Sequence, residues 1–315
     1  MTAHAALVDA RERKKGYIAL LWVQVLFGLF PAVRHWAPDH FSARAIVGWR
    51  ILVGAGVLGG AAVVVHRRAM LPKREDLPRL VVCALFGIAL NMVLFLEGLD
   101  RSTPVNAALI MPVIPVFTYV IATLLGSERF DAQRGIGIAV ALTGTLVLLL
   151  QRGPDLSHAY LFGNLLMLTN AASYAYFLVL ARPLTQRYPP LVVIAWVFLL
   201  AAPTVPLFAW NADFFPAGAG SREWGALVFV LLGATVGAYL LNTYALSKVS
   251  ASTTAAYIYL QPLVTCAADY FWLGRPLQEG LLLAAALIFT GLALVLRKRK
   301  LPPAAAAVVE GEARP

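Results

Sequence analysis

Apolar residues in this chain neither alternate nor keep to one helical stripe. They come in long runs, cut by short polar or Pro/Gly-rich punctuation such as "APDHFS", "HRRAMLPKREDLP", "SERFDAQ" and "NADFFPAGAGSRE". About 20 helical residues cross a bilayer core, and the runs have that length. We read ten spans, at 17–36, 43–65, 78–98, 103–125, 133–150, 160–181, 190–210, 224–245, 250–273 and 278–296. A transmembrane barrel would show shorter alternating segments. In lipid every backbone group must be paired within its own segment, which helices achieve. The predicted fold class is an all-α polytopic membrane protein of ten transmembrane helices.

Lysine and arginine set the orientation, because they collect on the cytoplasmic side. With the N-terminus inside, 19 of the 26 basic residues fall in cytoplasmic segments, 6 fall outside, and Arg50 lies within a span. The expected location is a bacterial inner (plasma) membrane, multi-pass, with both termini cytoplasmic. The leading "MTAHAALVDARERKKG" is polar and precedes a full-length span, so it does not read as a cleavable signal. Residues 1–16 are expected to be a cytoplasmic tail, and the Ala/Pro-rich 300–315 a disordered one.

Composition agrees. The chain of 315 residues is 60% hydrophobic and 13% charged, where a soluble chain is nearer one-quarter charged. The net charge of +10 would suit a nucleic-acid partner in a soluble protein. Here it follows the loops and no base-reading motif accompanies it. Expected partners are a small-molecule substrate and the lipid bilayer, with no nucleic acid; the oligomeric state is not legible. The two cysteines, Cys83 and Cys266, both lie in apolar runs and suggest neither disulfide nor metal site. No cofactor is indicated.

A shift of 147 residues lays the sequence on itself without a gap. Gly16 falls on Gly163, Phe30 on Phe177, Trp49 on Trp196, Pro115 on Pro262, Thr118 on Thr265 and Gly144 on Gly291. The chain therefore reads as two five-span halves, 17–152 and 160–299. Five is odd, so the second half enters the membrane inverted. Inverted repeats are characteristic of secondary transporters, whose site lies near the midplane between the halves. Pro112 and Pro115 in span four, and Pro262 in span nine, then become paired breaks. Proline removes a helical hydrogen bond and kinks the helix, so the three are candidate hinges.

The stretches "FLEGLDRSTPVNAALIMPVIPVFTYVIATLLGSERF" (95–130) and "LNTYALSKVSASTTAAYIYLQPLVTCAADYFWLGRPL" (241–277) resemble the two EamA repeats of the drug/metabolite transporter superfamily. The opening "LLWVQVLFGLFPAVR…FSARAIVGWRILVGA", with its Arg50, resembles that family too. The resemblance implies ten helices, two inverted halves and export or exchange of small metabolites. Two features depart from the pattern. "WVQVLFG" at 22–28 lacks the usual asparagine, and the acid that ends span four, Glu128, has Arg275 as its counterpart in span nine.

Polar residues inside spans are costly and mark candidate sites. Arg50 lies about 12 Å along its helix from the outer edge, and pairing with a carboxylate, contact with an anionic substrate and snorkelling to the interface are its three readings. Glu97 and Asp269, near the outer ends of spans three and nine, are its candidate ion-pair partners or candidate proton carriers. Gln24, Asn91, Asn170, Asn242 and Gln261 are amides within spans one, three, six, eight and nine; helix–helix hydrogen bonding is the competing account. Trp22, Tyr119, Tyr174, Tyr239, Tyr257 and Tyr259 are candidates for an aromatic wall. The substrate-binding set is Gln261, Gln24, Asn91, Asn170, Asn242, Tyr119 and Tyr257, with Gln261 beside Pro262 the foremost.

The expected function is secondary transport, as an exporter of a small polar or amphipathic metabolite such as an amino acid, by alternating access. A non-transporting scaffold or lipid-flippase subunit is the alternative, and it would scatter the five amides. The five histidines all lie at or outside span ends, and there is no H-E-x-x-H or Walker lysine motif. Neither enzyme chemistry nor direct ATP coupling is expected.

Overall fold

The computed structural model describes residues 3–30, 33, 40–150, 153–155, 157–274, 276 and 279–297. Among these there are helices and turns but no strand. In chain order we label α1 (Ala3–Gly28), then α2 (Ala43–His66), α3 (Arg74–Asp100), α4 (Val105–Leu124), α5 (Ala132–Leu150), α6 (His158–Arg187), α7 (Pro190–Ala209) and α8 (Ser221–Lys248). The segments Ala251–Ala256, Tyr257–Leu260 and Gln261–Leu273 follow one another directly as α9, and α10 is Leu281–Leu296. Seven of these, α2 to α8, are long and apolar enough to cross a membrane by themselves. The charged residues 3–16 are helical and form the first turns of α1. The tail expected at 300–315 lies outside the described residues.

The packing repeats the symmetry of the sequence. Helix α3 lies along α6, and its counterpart α8 lies along α1; α2 lies along α7, and α5 along α10. Equivalent close approaches recur. A Cβ on Gly163 would meet the Arg101 and Gly98 carbonyls, and one on its counterpart Gly16 would meet Lys248 and the Ala245 carbonyl, the counterparts of Arg101 and Gly98. Trp49 Nε1 donates to Phe214 O at 3.0 Å after α7, and Trp196 Nε1 to Met70 O at 2.7 Å after α2.

Counterpart helices run antiparallel. Gly137 of α5 abuts Gly291 and Val295 of α10, while Gly144 abuts Ala284 and Ile288. Going up one helix is thus going down its equivalent, as a two-fold axis in the membrane plane requires. In lipid, helices associate through close packing rather than hydrophobic exclusion, so small residues sit at such crossings.

The start of α1 and the end of α10 share a face. Glu12 of α1 pairs with Lys248 at the end of α8. A few residues on, Ser252 N donates to Glu128 Oε1 at 2.9 Å, Glu128 pairs with Arg134, and the neighbouring Gln133 donates to Leu294 O and Arg297 O at the end of α10. Glu128 thereby places a negative charge at the buried N-terminus of α9, where the first amides have no intrahelical partner.

Five helices are broken among the described residues: a 3₁₀ turn at Ala202–Thr204 in α7 falls on unbroken α2 under the 147-residue shift, and the other four breaks form symmetric pairs. Tight 3₁₀ turns occupy Met111–Val113 in α4 and Tyr257–Leu260 in α9, each followed by a proline in the first helical turn. Wider π turns occupy Leu85–Ala89 in α3 and Phe229–Gly237 in α8. The 147-residue shift carries each of these four onto its partner.

Candidate functional site

The five amides come together as couples across helix pairs. Gln261 Nε2 donates to Gln24 Oε1 at 2.9 Å, joining α9 to α1. One turn further, Thr265 Oγ1 donates to Gly28 O at 2.9 Å. Asn170 Nδ2 donates to Asn91 O at 2.5 Å, and Asn91 Nδ2 returns to Asn170 O at 3.5 Å, joining α6 to α3. Asn242 Nδ2 donates to Tyr174 OH at 3.1 Å, joining α8 to α6.

The π turns explain why side chains reach backbone here. A π turn stretches the helical bond from i−4 to i−5 and frees carbonyls. In α3, Phe86 O accepts from Ser173 Oγ at 2.7 Å. In α8, Thr235 Oγ1 reaches back to Val230 O at 2.8 Å.

Arg50 joins the α8 break. Its Nε donates to Thr235 Oγ1 at 2.9 Å, and the phenols of Tyr239 and Tyr174 lie within electrostatic reach. Tyr239 packs edge-on against Phe27 of α1 and Phe198 of α7. Phe27 and Tyr174 are counterparts under the 147-residue shift, and they flank the same Tyr239–Asn242 stretch. A residue and its counterpart share a depth only at the midplane of an inverted pair, so Arg50, Thr235, Tyr239, Tyr174 and Asn242 form a mid-bundle cluster.

The cluster breaks the internal symmetry. The counterparts of Arg50, Thr235, Tyr239 and Asn242 are Val197, Ile88, Met92 and Phe95, all apolar. The first half supplies the one charge, and the second half supplies the hydroxyls and the amide.

Several expectations change. Glu97 does not pair with Arg50; it pairs with Arg44 and Arg101 at the end of α3, Arg101 lying one turn on from it in sequence. Tyr119 lies away from the amides. Its hydroxyl donates to Asp131 O and accepts from Asp131 N, both at 2.8 Å, and so fixes the α4–α5 turn. Trp22 is 59% exposed and faces away from the bundle. Tyr257 is buried and stacked on Tyr17, with centroids 6.2 Å apart, beside α1 but two turns from the Gln24 couple. Pro112 and Pro115 are buried and Pro262 is half-buried, each at a break. Asp269 is half-buried near the end of α9. Cys83 and Cys266 are both buried.

Sequence reasoning missed two features. One is the pair of π turns, whose signal is faint: a glycine-bearing "LFGIA" and "FVLLGATVG". The other is Asp76, just before α3's Leu77–Pro78. Its carboxylate is buried and accepts from Arg187 Nη1 and Tyr188 OH, both at 2.7 Å. Tyr188 OH in turn accepts from Lys73 N at 3.0 Å. This latch ties the α2–α3 turn to the α6–α7 turn on the face that holds Glu12 and Arg297. Burial first, and the bond to Asp76 second, push the Tyr188 phenol above its usual range.

Comparisons with known proteins agree with this architecture. The profile described as the EamA-like transporter family matches twice, at residues 14–150 and 161–297, two matches offset by the same 147 residues. The uncharacterised transporter YyaM of Bacillus subtilis (strain 168) is 25% identical over 87% of this chain and 91% of its own length. An uncharacterised transporter of Archaeoglobus fulgidus is 24% identical over 90% of this chain and 100% of its own. A protein described as a "Probable terminal-alkyne amino-acid exporter", from Streptantibioticus cattleyicolor, is 27% identical over 72% of this chain and 75% of its own. A solved crystal structure superposes with a TM-score of 0.77 at 18% identity, covering 91% of this chain and 96% of that one; this is a likeness of fold.

Proposed function

Because the chain belongs to the EamA-like transporter family, a family of multi-pass membrane transporters rather than enzymes, we propose that it exports a small polar or amphipathic metabolite, an amino acid or a related compound. Transport proceeds by alternating access. Two inverted five-helix halves, 17–152 and 160–299, rock about a shared midplane site, and ten helices span a bacterial inner membrane with both ends cytoplasmic. The relative described as a probable terminal-alkyne amino-acid exporter supports the direction and the substrate class.

One observation carries the reading. Polar side chains from both halves meet in mid-bundle, directly beside helices broken in symmetric pairs. Breaks at corresponding positions of two repeats are the best pointer to a transport site, and irregular backbone at membrane depth is tolerated where it is buried in protein or lines an aqueous path. The Gln24–Gln261 couple joins α1 to the broken α9 and is the foremost candidate contact for solute. Pro112, Pro115 and Pro262 mark where α4 and α9 flex. The pairing of the amides across three helix contacts also gives them a structural part, so loss of flux must be separated from loss of fold.

The test is counterflow of labelled amino acids, nucleobases and sugars in liposomes holding the purified chain. Gln261→Ala is expected to lower flux at unchanged yield of folded protein. Flux of no panel member, or full flux in Gln261→Ala, would overturn respectively the transporter reading and the choice of that residue.

A further inference from the structure

Arg50 is a mid-bundle cation without a matching anion. Among the described residues no carboxylate lies within ion-pairing distance of it, since Glu97 is taken by Arg44 and Arg101. Its Nε edge is spent on Thr235. The Thr235 hydroxyl gives its own proton to Val230 O, so it acts on Arg50 purely as an acceptor and fixes the plane of the guanidinium. Neither Nη has a hydrogen-bond acceptor among the described residues, and the residue is half-buried rather than sealed. The guanidinium therefore presents its end-on, two-nitrogen edge.

The neighbours add donors and no negative charge. Tyr174 OH accepts from Asn242 Nδ2, which leaves its own proton to give. Tyr239 OH lies within electrostatic reach of Arg50, and no described residue takes its proton. The cluster thus offers one positive charge and a surplus of hydrogen-bond donors in a low-dielectric setting. Ionisable groups at this depth are retained when they pair or when they meet a substrate.

Resting on the transporter reading above, we propose that Arg50, held by Thr235 and flanked by Tyr174 and Tyr239, is the binding site for the carboxylate of the transported solute. A carboxylate fits better than a phosphate. The two oxygens match the paired Nη atoms in bidentate geometry, and a single negative charge is neutralised by the one arginine. A phosphate monoester, near −2 at neutral pH, would be left with an unmatched charge. The remaining lone pairs of the carboxylate take the two phenol protons. Because the first half gives the charge and the second half the hydroxyls, the solute itself bridges the halves.

The test uses the full chain in lipid nanodiscs, with a panel of L-amino acids and simple monocarboxylates, each set against its own amide. Binding is read from the shift in thermal unfolding, and counterflow of the same compounds is measured in liposomes. For at least one pair the acid is expected to bind ~10-fold or more tightly than the amide, as one charge-assisted contact implies. In Arg50→Gln that preference collapses to within about 2-fold, and Arg50→Lys, which keeps charge but loses the fork, falls between. Tyr239→Phe and Tyr174→Phe supply the same readout where Arg50→Gln fails to fold, each lowering acid affinity without changing that of the amide. Amides that bind and move as well as acids, or an acid preference that survives in all four variants, would overturn the carboxylate site while leaving transport standing. Absence of binding and flux across the panel would overturn both.

Discussion

Replacing Gly163 by alanine is the sharpest test of the packing that underlies the inverted pair. The added Cβ would stand 2.4 Å from Arg101 O and 2.6 Å from Arg101 C. Backbone cannot swing aside as a side chain can, so α3 and α6 must part by about 1 Å near their ends. Overpacking of this kind costs typically 1–3 kcal/mol, and an obstruction made of backbone belongs at the upper end, about 2–3 kcal/mol. The symmetric substitution, Gly16→Ala, has an easier path. Its Cβ would meet Lys248 Cβ at 3.0 Å, an overlap that a helix shift of only a few tenths of an ångström relieves, for roughly 1 kcal/mol or less. The assay is unfolding of the purified chain in mixed micelles of rising SDS fraction, followed by circular dichroism. The expected order is Gly163→Ala well below Gly16→Ala, and that below the parent. Equal stabilities, or the reverse order, would refute the claim that α3 and α6 touch backbone to backbone.

Three more outcomes follow from the contacts. In a double-mutant cycle, Gln261→Leu alone strands the Gln24 amide, which is 2% exposed, and is expected to cost about 1–2 kcal/mol. Adding Gln24→Leu should recover most of that stability while leaving flux low, whereas additive losses in SDS unfolding would contradict the couple. Asp76→Ala removes two charge-assisted bonds from a buried carboxylate and should cost about 2 kcal/mol, since Arg187 is half in solvent and its loss of a partner is screened. Micelle unfolding measures this too, and an unchanged midpoint would contradict the latch. Glu12 lies outside the membrane-spanning segments, and its bonds to Lys15 and Lys248 hold its carboxyl down at about 2. A depressed acid stabilises the fold above its ordinary value of 4.5 and loses that contribution as pH falls toward the folded value. The tie between α1 and α8 should therefore persist at pH 4 and weaken only near 2, as NMR titration of a ¹³C-labelled Glu12 carboxyl would show; titration at the ordinary value would contradict it.

The architecture was legible in the sequence wherever one residue type carries a geometric demand. Pro115 and Pro262 stand at real breaks, each in the first turn after a 3₁₀ segment, where proline's missing N–H and fixed φ are tolerated. Gly144 and Gly291 match because their helices cross too closely for a side chain. The charge bias of the loops agrees with the shared face of Glu12, Lys248 and Arg297. The site was legible in part. The amides were found by polarity alone, but polarity does not say which neighbour each one meets. Gln24 and Gln261 are 237 residues apart, and only the crossing of α1 and α9 brings them together. Glu97 was a reasonable partner for Arg50 by charge and depth, yet Arg44 and Arg101 are nearer and compete for it. The π turns were out of reach, because residues in a π turn have the same propensities as those in the helix around it. Thr235 therefore looked like any small polar residue in an apolar run.

The most direct measurement of alternating access between inverted halves is a pair of distances taken together. Spin labels are placed at Leu125 and Ser247, on the face that holds Glu12 and Arg297, and separately at their counterparts Trp272 and Asp100 on the opposite face, in a chain whose Cys83 and Cys266 are replaced. When a transported solute is added, one distance is expected to lengthen while the other shortens, because the two-fold relation makes opening on one face the image of closure on the other. Two distances that move in the same sense, or neither moving while flux continues, would contradict the account.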